Sequence, residues 1–410
     1  MIFEDRIVLD DLEQRLFDAM AKMPVIDAHE HLKSEKEFVT STYDWAWMAQ
    51  YVINDLHAAG LDPKFSIYDN SLTPGEKWAK VRPFWPATRQ GTPARILRLS
   101  LKEWFGVDDI TDDTYELVGR KLNEHARPGF YRQALTDKCG VAHVISNARS
   151  WKDYEGDLLR VIVNIPRPTG PVFLREFEAA VGLAVQNVDQ LRDALRKYFA
   201  DALAAGVVGF KTIAWVLPKW EEQTIRHAVP KLAAGEHLAA HEWPQMLAFV
   251  HEAAFDILRP TGKVVAVHCG CWPDYREPHA VNFLEIMQRY PDIRFDLFHM
   301  GMPSPRQSVL VGKYVPNAVH NLAGAMLFSQ HMFEHALQEY LDIVPVSKFI
   351  GFGGDFQWRP ELVWGHLQLQ RESYARVFAA RIRRGMLDLD SAVEILRSWL
   401  YDNPRRFYGI

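Results

Sequence analysis

Cysteine is scarce in this chain of 410 residues, with Cys139, Cys269 and Cys271 its three thiols. That is too few, and the spacing too uneven, for a secreted disulfide framework or a four-cysteine zinc site, so a reducing cytoplasm is the expected compartment. Basic runs are missing as well. Lys and Arg total 47 against 52 Asp and Glu, a formal net charge of -5, which argues against nucleic acid as a partner. No apolar run approaches the roughly 18 residues of a membrane span. The first twenty residues, MIFEDRIVLDDLEQRLFDAM, are acidic and amphipathic rather than basic then apolar, so neither export nor membrane insertion is expected. Low-complexity tracts are lacking too. With 48% hydrophobic and 24% charged residues, the composition is globular and ample for a large core.

What is present is a series of eight short apolar, β-branched runs, each followed by a longer stretch with helical spacing. They are VIDAHEH from Val25, VAHVISNA from Val141, LLRVIVNIP from Leu158, VVGFKTIAW from Val207, KVVAVHCG from Lys263, IRFDLFHMG from Ile293, NAVHNLAG from Asn317 and KFIGFGGDF from Lys348. Alternating strands and helices predict a parallel sheet, and eight such units predict closure into an α/β (β/α)8 TIM barrel over residues 1–410. A doubly wound open sheet is the alternative. The units are uneven: residues 33–135 separate the first strand from the second, look helical and are rich in Trp. They read as a helical insertion within the barrel. Trp45 and Trp47 there suit helix packing better than a lid. A second candidate lid follows the fourth strand.

In VIDAHEH, His29 and His31 stand two apart on a predicted strand and therefore point the same way. At the C-terminal end of a barrel strand both would reach the mouth, where active sites of this fold gather. Later strand ends repeat the theme: His268 closes the fifth, His299 the sixth and Asp355 the eighth. Each alone reads better as a hydrogen-bonded core histidine or a helix-capping aspartate. Jointly they are costly inside a barrel unless something pairs with them.

This ordered set resembles the amidohydrolase superfamily, and the similarity runs through IDAHEH, GFKTIAW, VHCG, FHMGMP, GFGGDF and the closing DNPRRFYGI. The resemblance implies that His29, His31, His268 and Asp355 ligate a metal and that His299 is a second-site ligand or a catalytic histidine. Asp355 would also serve as general base. Within the superfamily the insertion, with KWAKVRPFW and LKEWFGV, looks like uronate isomerases, whereas the barrel half looks like small hydrolases and nonoxidative decarboxylases. Uronate isomerases carry Arg two residues beyond the strand-eight Asp, where this chain has Gln357, and lack the histidine seen here as His299.

Three imidazoles and a carboxylate suit one divalent ion, zinc first, with manganese, iron or cobalt able to use the same ligands. Lys211 occupies the place where binuclear members carry a carboxylated lysine, so a second metal is expected only if Lys211 is carboxylated. An ordinary lysine would instead bind a substrate carboxylate. Lys211, Arg276, Trp215 and Gln357 are the candidate substrate-binding residues, although taken singly Arg276 reads better as a solvated arginine and Trp215 as a packed tryptophan. Cys269 and Cys271 read as small packing residues beside His268, and His320 as a candidate pocket residue. The leading expectation is hydrolysis of a small, carboxylate-bearing metabolite by a metal-activated water. The alternatives are a uronate isomerase-like aldose-ketose isomerase, a nonoxidative decarboxylase, and a noncatalytic binder on the same barrel. The expected partner is a small anionic substrate, with no nucleic acid and no membrane; a homo-oligomer is compatible with the sequence.

Overall fold

All eight strands form. The computed structural model describes residues 5–410 apart from 153, 155, 271–275 and 277. The strands are β1 (Val25–Glu30), β2 (Val141–Ala148), β3 (Leu159–Asn164), β4 (Gly209–Ile213), β5 (Val264–His268), β6 (Arg294–Leu297), β7 (Ala318–Asn321) and β8 (Phe349–Ile350). They make one parallel sheet in chain order, the nearly closed barrel of an α/β (β/α)8 fold. Because β1, β4 and β7 are buried along their whole length, their polar residues must find partners inside.

The eighth run departs from a regular strand. Pairing covers only Phe349–Ile350, yet the chain keeps bonding beyond it. Ala28 N donates to Phe352 O, Asp355 N to His29 O and His31 N to Phe356 O, each at 2.9 Å. Glycine makes this approach possible: a Cβ on Gly353 would stand 2.5 Å from Ala323 Cβ and 2.9 Å from His29 N. The run GFGGDF is thereby pressed against β1, and its aspartate is delivered beside the two histidines.

By internal packing the chain divides into two compact units. The first comprises Met1–Ser146, Asp153–Leu159 and Asn321–Arg405. Its residues 33–135 include the helices Glu35–Thr40, Val52–Ala58, Pro74–Val81, Thr92–Phe105 and Tyr115–His125. Thr73 and Glu76 form a capping box ahead of Pro74, which fixes the start of the third. Trp45, Trp78 and Trp85 meet edge to face, with centroids 5.3 to 6.1 Å apart. Trp45 is fully buried and Trp47 half-buried, as helix packing requires of the first. The long helix Glu361–Arg383 is buried along most of its length and lies on Asp11–Ala21. At its start Arg359 Nε donates to Glu361 Oε2 at 3.1 Å and His125 Nδ1 is 2.9 Å from Glu361 Oε1. Burial opposes charge on Glu361, but Arg359 and His125 outweigh it and hold the carboxyl below its ordinary value.

The second unit comprises Asn147–Lys152, Arg160–His320 and Arg406–Ile410. Here Gly270, at φ +90°, sits where a Cβ would fall 1.9 Å from Met302 O. On the helix Glu242–Leu258, His251 is fully buried, its Nε2 2.7 Å from Thr212 Oγ1 and its Nδ1 2.8 Å from Leu247 O. Burial pushes its pKa down from 6.5 to about 4. Between those values the unfolded chain binds a proton that the native chain refuses. The stabilisation is therefore complete above about pH 6.5 and is lost as pH falls toward about 4. We expect the acid side of the stability curve to flatten in His251→Gln, by on the order of 2 kcal/mol near pH 4.5. Parallel melting curves for the two proteins across that range would reject the assignment. Among the described residues, no helix is long and apolar enough to cross a membrane.

Candidate metal centre

With His29 on β1 and His31 one residue past its end, the two-residue spacing of extended chain puts both imidazoles on one side. His29 Nε2 lies 3.2 Å and His31 Nε2 3.4 Å from the same oxygen, Asp355 Oδ1. The three ligand atoms fall within 4.8 Å of one another. Donors about 2.0 to 2.2 Å from a tetrahedral zinc ion stand roughly 3.3 Å apart, so the two separations from Asp355 Oδ1 match the edges of a coordination tetrahedron. His29 and Asp355 are buried, whereas the His31 side chain is 34% exposed, leaving that side open to solvent. Asp355 is held at φ 63°, a region an L-residue rarely enters, and Asp tolerates it better than most.

Several groups keep this geometry in place. Tyr51 Oη donates to the backbone oxygen of Asp355, and Gln50 Nε2 approaches the same oxygen at 3.4 Å. Both belong to the 33–135 segment. Burial, followed by the charge of Asp355, raises the Tyr51 pKa well above its usual value, so the hydroxyl stays a donor. Asp27 Oδ1 accepts from Gly354 N at 3.2 Å, and Glu30 Oε2 accepts from Phe356 N at 2.6 Å. Asp27 and Glu30 are fully buried. Burial pushes Asp27 up to about 7; burial and then the Asp27 charge push Glu30 upward as well. Burial and mutual repulsion thus disfavour having both carboxyls ionised at once. His366 Nδ1 lies 3.2 Å from Gly354 O, and burial drives this imidazole down to about 4, keeping it neutral.

The remaining histidines of the set lie in the other unit. His268, half-buried at the end of β5, meets His299 just beyond β6, with Nδ1 and Nε2 3.0 Å apart. His299 and Met300 both take positive φ, 64° and 52°. Lys211 is buried on β4 with its Nζ 3.4 Å from the centre of the Phe298 ring. His320 is buried on β7. Trp215, just past β4, is half-buried, and its Nε1 has no hydrogen-bond partner among the described residues. Arg276 is exposed, and so is Gln357, whose backbone N donates to Gln50 Oε1 at 2.9 Å. Cys269 is a buried packing residue with its thiol pushed up to about 12 by burial; Cys271 lies outside the described residues.

Sequence reasoning missed Asp27 and Glu30, although both lie inside the motif that it singled out. It also missed Tyr51 and Gln50, and it passed over Arg167 as a candidate cation. Arg167 follows β3, two residues beyond the point where Ile165 N donates to Lys211 O at 2.8 Å. It is half-buried, has no ion-pair partner among the described residues, and burial lowers its pKa. Strand-end position was the one signal that could have raised it.

A scan against protein-family models gives no match, and neither does a comparison with curated proteins. Likeness to solved structures is extensive. Uronate isomerase from Thermotoga maritima superposes with a TM-score of 0.78 at 17% identity, covering 100% of this chain and 99% of that one. Glucuronate isomerase from Caulobacter crescentus gives 0.77 at 14%, covering 100% and 97%. A candidate metal-dependent hydrolase from Lactobacillus casei gives 0.67 at 12%, covering 98% of each chain. At these identities the likeness is one of fold: from end to end, the chain shares the barrel of these isomerase and metal-dependent hydrolase structures.

Proposed function

From that shared barrel and the cluster it carries, we propose that the chain is a metal-dependent enzyme acting on a small, carboxylate-bearing metabolite, by hydrolysis in the first reading. The observation that carries this is the convergence of His29 Nε2, His31 Nε2 and Asp355 Oδ1 within 4.8 Å. A divalent ion bound there, zinc first and manganese, iron or cobalt otherwise, supplies Lewis acidity that activates water and polarises a substrate carbonyl.

The chain's own residues do the rest. His29 and His31 hold the ion through Nε2, and Asp355 contributes a carboxylate oxygen as ligand and as acceptor for a proton. Tyr51 and Gln50, by fixing the Asp355 carbonyl, keep that carboxylate aimed. The sequence pattern adds His268 as a ligand and His299 as a catalytic histidine; their mutual hydrogen bond lets one hold a proton for the other. Arg167 and Lys211 supply positive charge for a substrate carboxylate, and the Trp215 indole N–H a donor. A second metal enters this reading only with a carboxylated Lys211.

A second reading, aldose-ketose isomerisation of a uronate-like sugar acid, is favoured by one observation, the full-length likeness to two sugar-acid isomerases. The same residues would then move a proton between adjacent carbons of the open chain.

Elemental analysis and product analysis together test both. About one metal per chain is expected, falling close to zero in His29→Ala and in His268→Ala, with helical content unchanged. Incubation with a panel of carboxylate metabolites, hexuronates included, then separates the chemistries. Addition of water marks the hydrolase, conserved mass the isomerase, and released carbon dioxide a decarboxylase. A metal-free protein whose melting temperature ignores added zinc and manganese would overturn the proposal in favour of a binding protein.

A further inference from the structure

The unit that holds the metal cluster also presents two imidazoles that none of this chemistry uses. His331 and His335 stand one turn apart on the helix Gln330–Ile343, where side chains four residues apart share a face. Both are exposed, with ring centroids 4.2 Å apart and planes at 46°. Neither has a hydrogen-bond or ion-pair partner among the described residues. Glu334, the nearest carboxylate in sequence, is turned the other way: its Oε1 accepts from Ser373 Oγ at 2.8 Å and from Gln330 Nε2 at 3.2 Å.

The backbone beneath the pair is pinned. Ser329 caps the helix by accepting from Met332 N at 3.2 Å. Gln330 N donates to Thr92 Oγ1 at 3.0 Å, its Oε1 accepts from Arg95 at 2.6 Å, and its Nε2 also reaches Glu372 and Ser373, each at 3.1 Å. The first turn therefore needs no rearrangement to present both rings, which removes much of the ordering cost of binding.

We propose that His331 and His335 form a bidentate surface site for a borderline transition-metal dication, Cu2+, Ni2+ or Zn2+, separate in its residues from the His29, His31 and Asp355 cluster. Two imidazoles one helical turn apart are the arrangement by which a helix grips such a metal from one face, and nitrogen donors select these ions over Mg2+ and Ca2+, which prefer oxygen. Water completes the shell. The pair sits in the first two turns of its helix, where the macrodipole opposes positive charge. Binding is accordingly weaker than at the buried cluster, and the ion exchanges with solution.

The test is calorimetric titration of the purified holoprotein with NiCl2 and, separately, MgCl2, using wild type, His331→Asn, His335→Asn and His29→Ala. One additional Ni2+ per chain and no Mg2+ is expected for wild type. Each surface variant should bind Ni2+ at this site about tenfold or more weakly, because the second imidazole acts at a high effective concentration only when both are present. His29→Ala should retain the surface site, which separates this proposal from the reading of the buried cluster. Wild-type Ni2+ affinity in either surface variant, or a loss confined to half the stoichiometry in each, would overturn it. Both side chains are exposed, so unchanged melting temperatures serve as the folding control.

Discussion

Asp355→Asn is expected to lower turnover on the order of 10^3-fold, since a Lewis acid contributes several kcal/mol to the barrier and about 1.4 kcal/mol corresponds to a factor of ten. Metal content should fall with it. The side chain loses the charge that faces both Nε2 atoms at 3.2 and 3.4 Å, while its shape is kept. Asparagine is the informative choice because it tolerates φ 63° nearly as well as aspartate, whereas alanine would add backbone strain to the loss of the ligand. The Tyr51 and Gln50 bonds go to the backbone oxygen and survive the change. Turnover, elemental analysis and circular dichroism on one preparation decide it. Full metal together with full turnover would remove Asp355 from the site.

Gly353→Ala should cost about 3 kcal/mol of stability, a large overpacking penalty, and weaken metal binding at the same time. The added methyl would meet Ala323 Cβ at 2.5 Å, His29 N at 2.9 Å and His29 Cβ at 3.1 Å. Two of the three are β1 atoms of a metal-ligand candidate, so relief of the clash requires His29 to move. Gly170→Ala is the matched control. Nothing lies within 4 Å of its Cβ position, and a non-strained glycine replaced by alanine is neutral or slightly stabilising. Thermal unfolding and zinc titration of the two variants check this. Equal melting temperatures would mean that the GFGGDF segment is more compliant than its contacts with β1 indicate.

The barrel was legible because its strands are short, apolar and separated by helical spacing, a pattern that repeats eight times. His29 and His31 were legible from period-2 geometry, and Asp355 from its place at the end of the last strand. What surrounds them was not. Tyr51 and Gln50 come from a segment whose helical signal says nothing of which residue turns toward the barrel. Asp27 and Glu30 sit in the motif itself, but their raised pKa values arise from burial and mutual proximity, which no spacing rule conveys. The Arg359, Glu361 and His125 cluster joins residues more than two hundred positions apart through packing alone. The eighth strand was expected as a regular run. It is regular over two residues and then follows β1 through backbone hydrogen bonds for which Gly353 leaves room.

The metal cluster draws on β1 and on the residues after β8, the first and last strands of the barrel. During synthesis His29 and His31 emerge roughly three hundred residues before Asp355, a delay on the order of half a minute at about 10 residues per second. A nascent chain therefore carries two imidazoles without their carboxylate, and the complete ligand set exists only once the barrel's final strand has docked. On the proposed reading, metal capture by all three residues is thus a late event in the life of each chain, and translation arrest upstream of Asp355 would yield a protein that cannot assemble the set, whatever metal the cell provides.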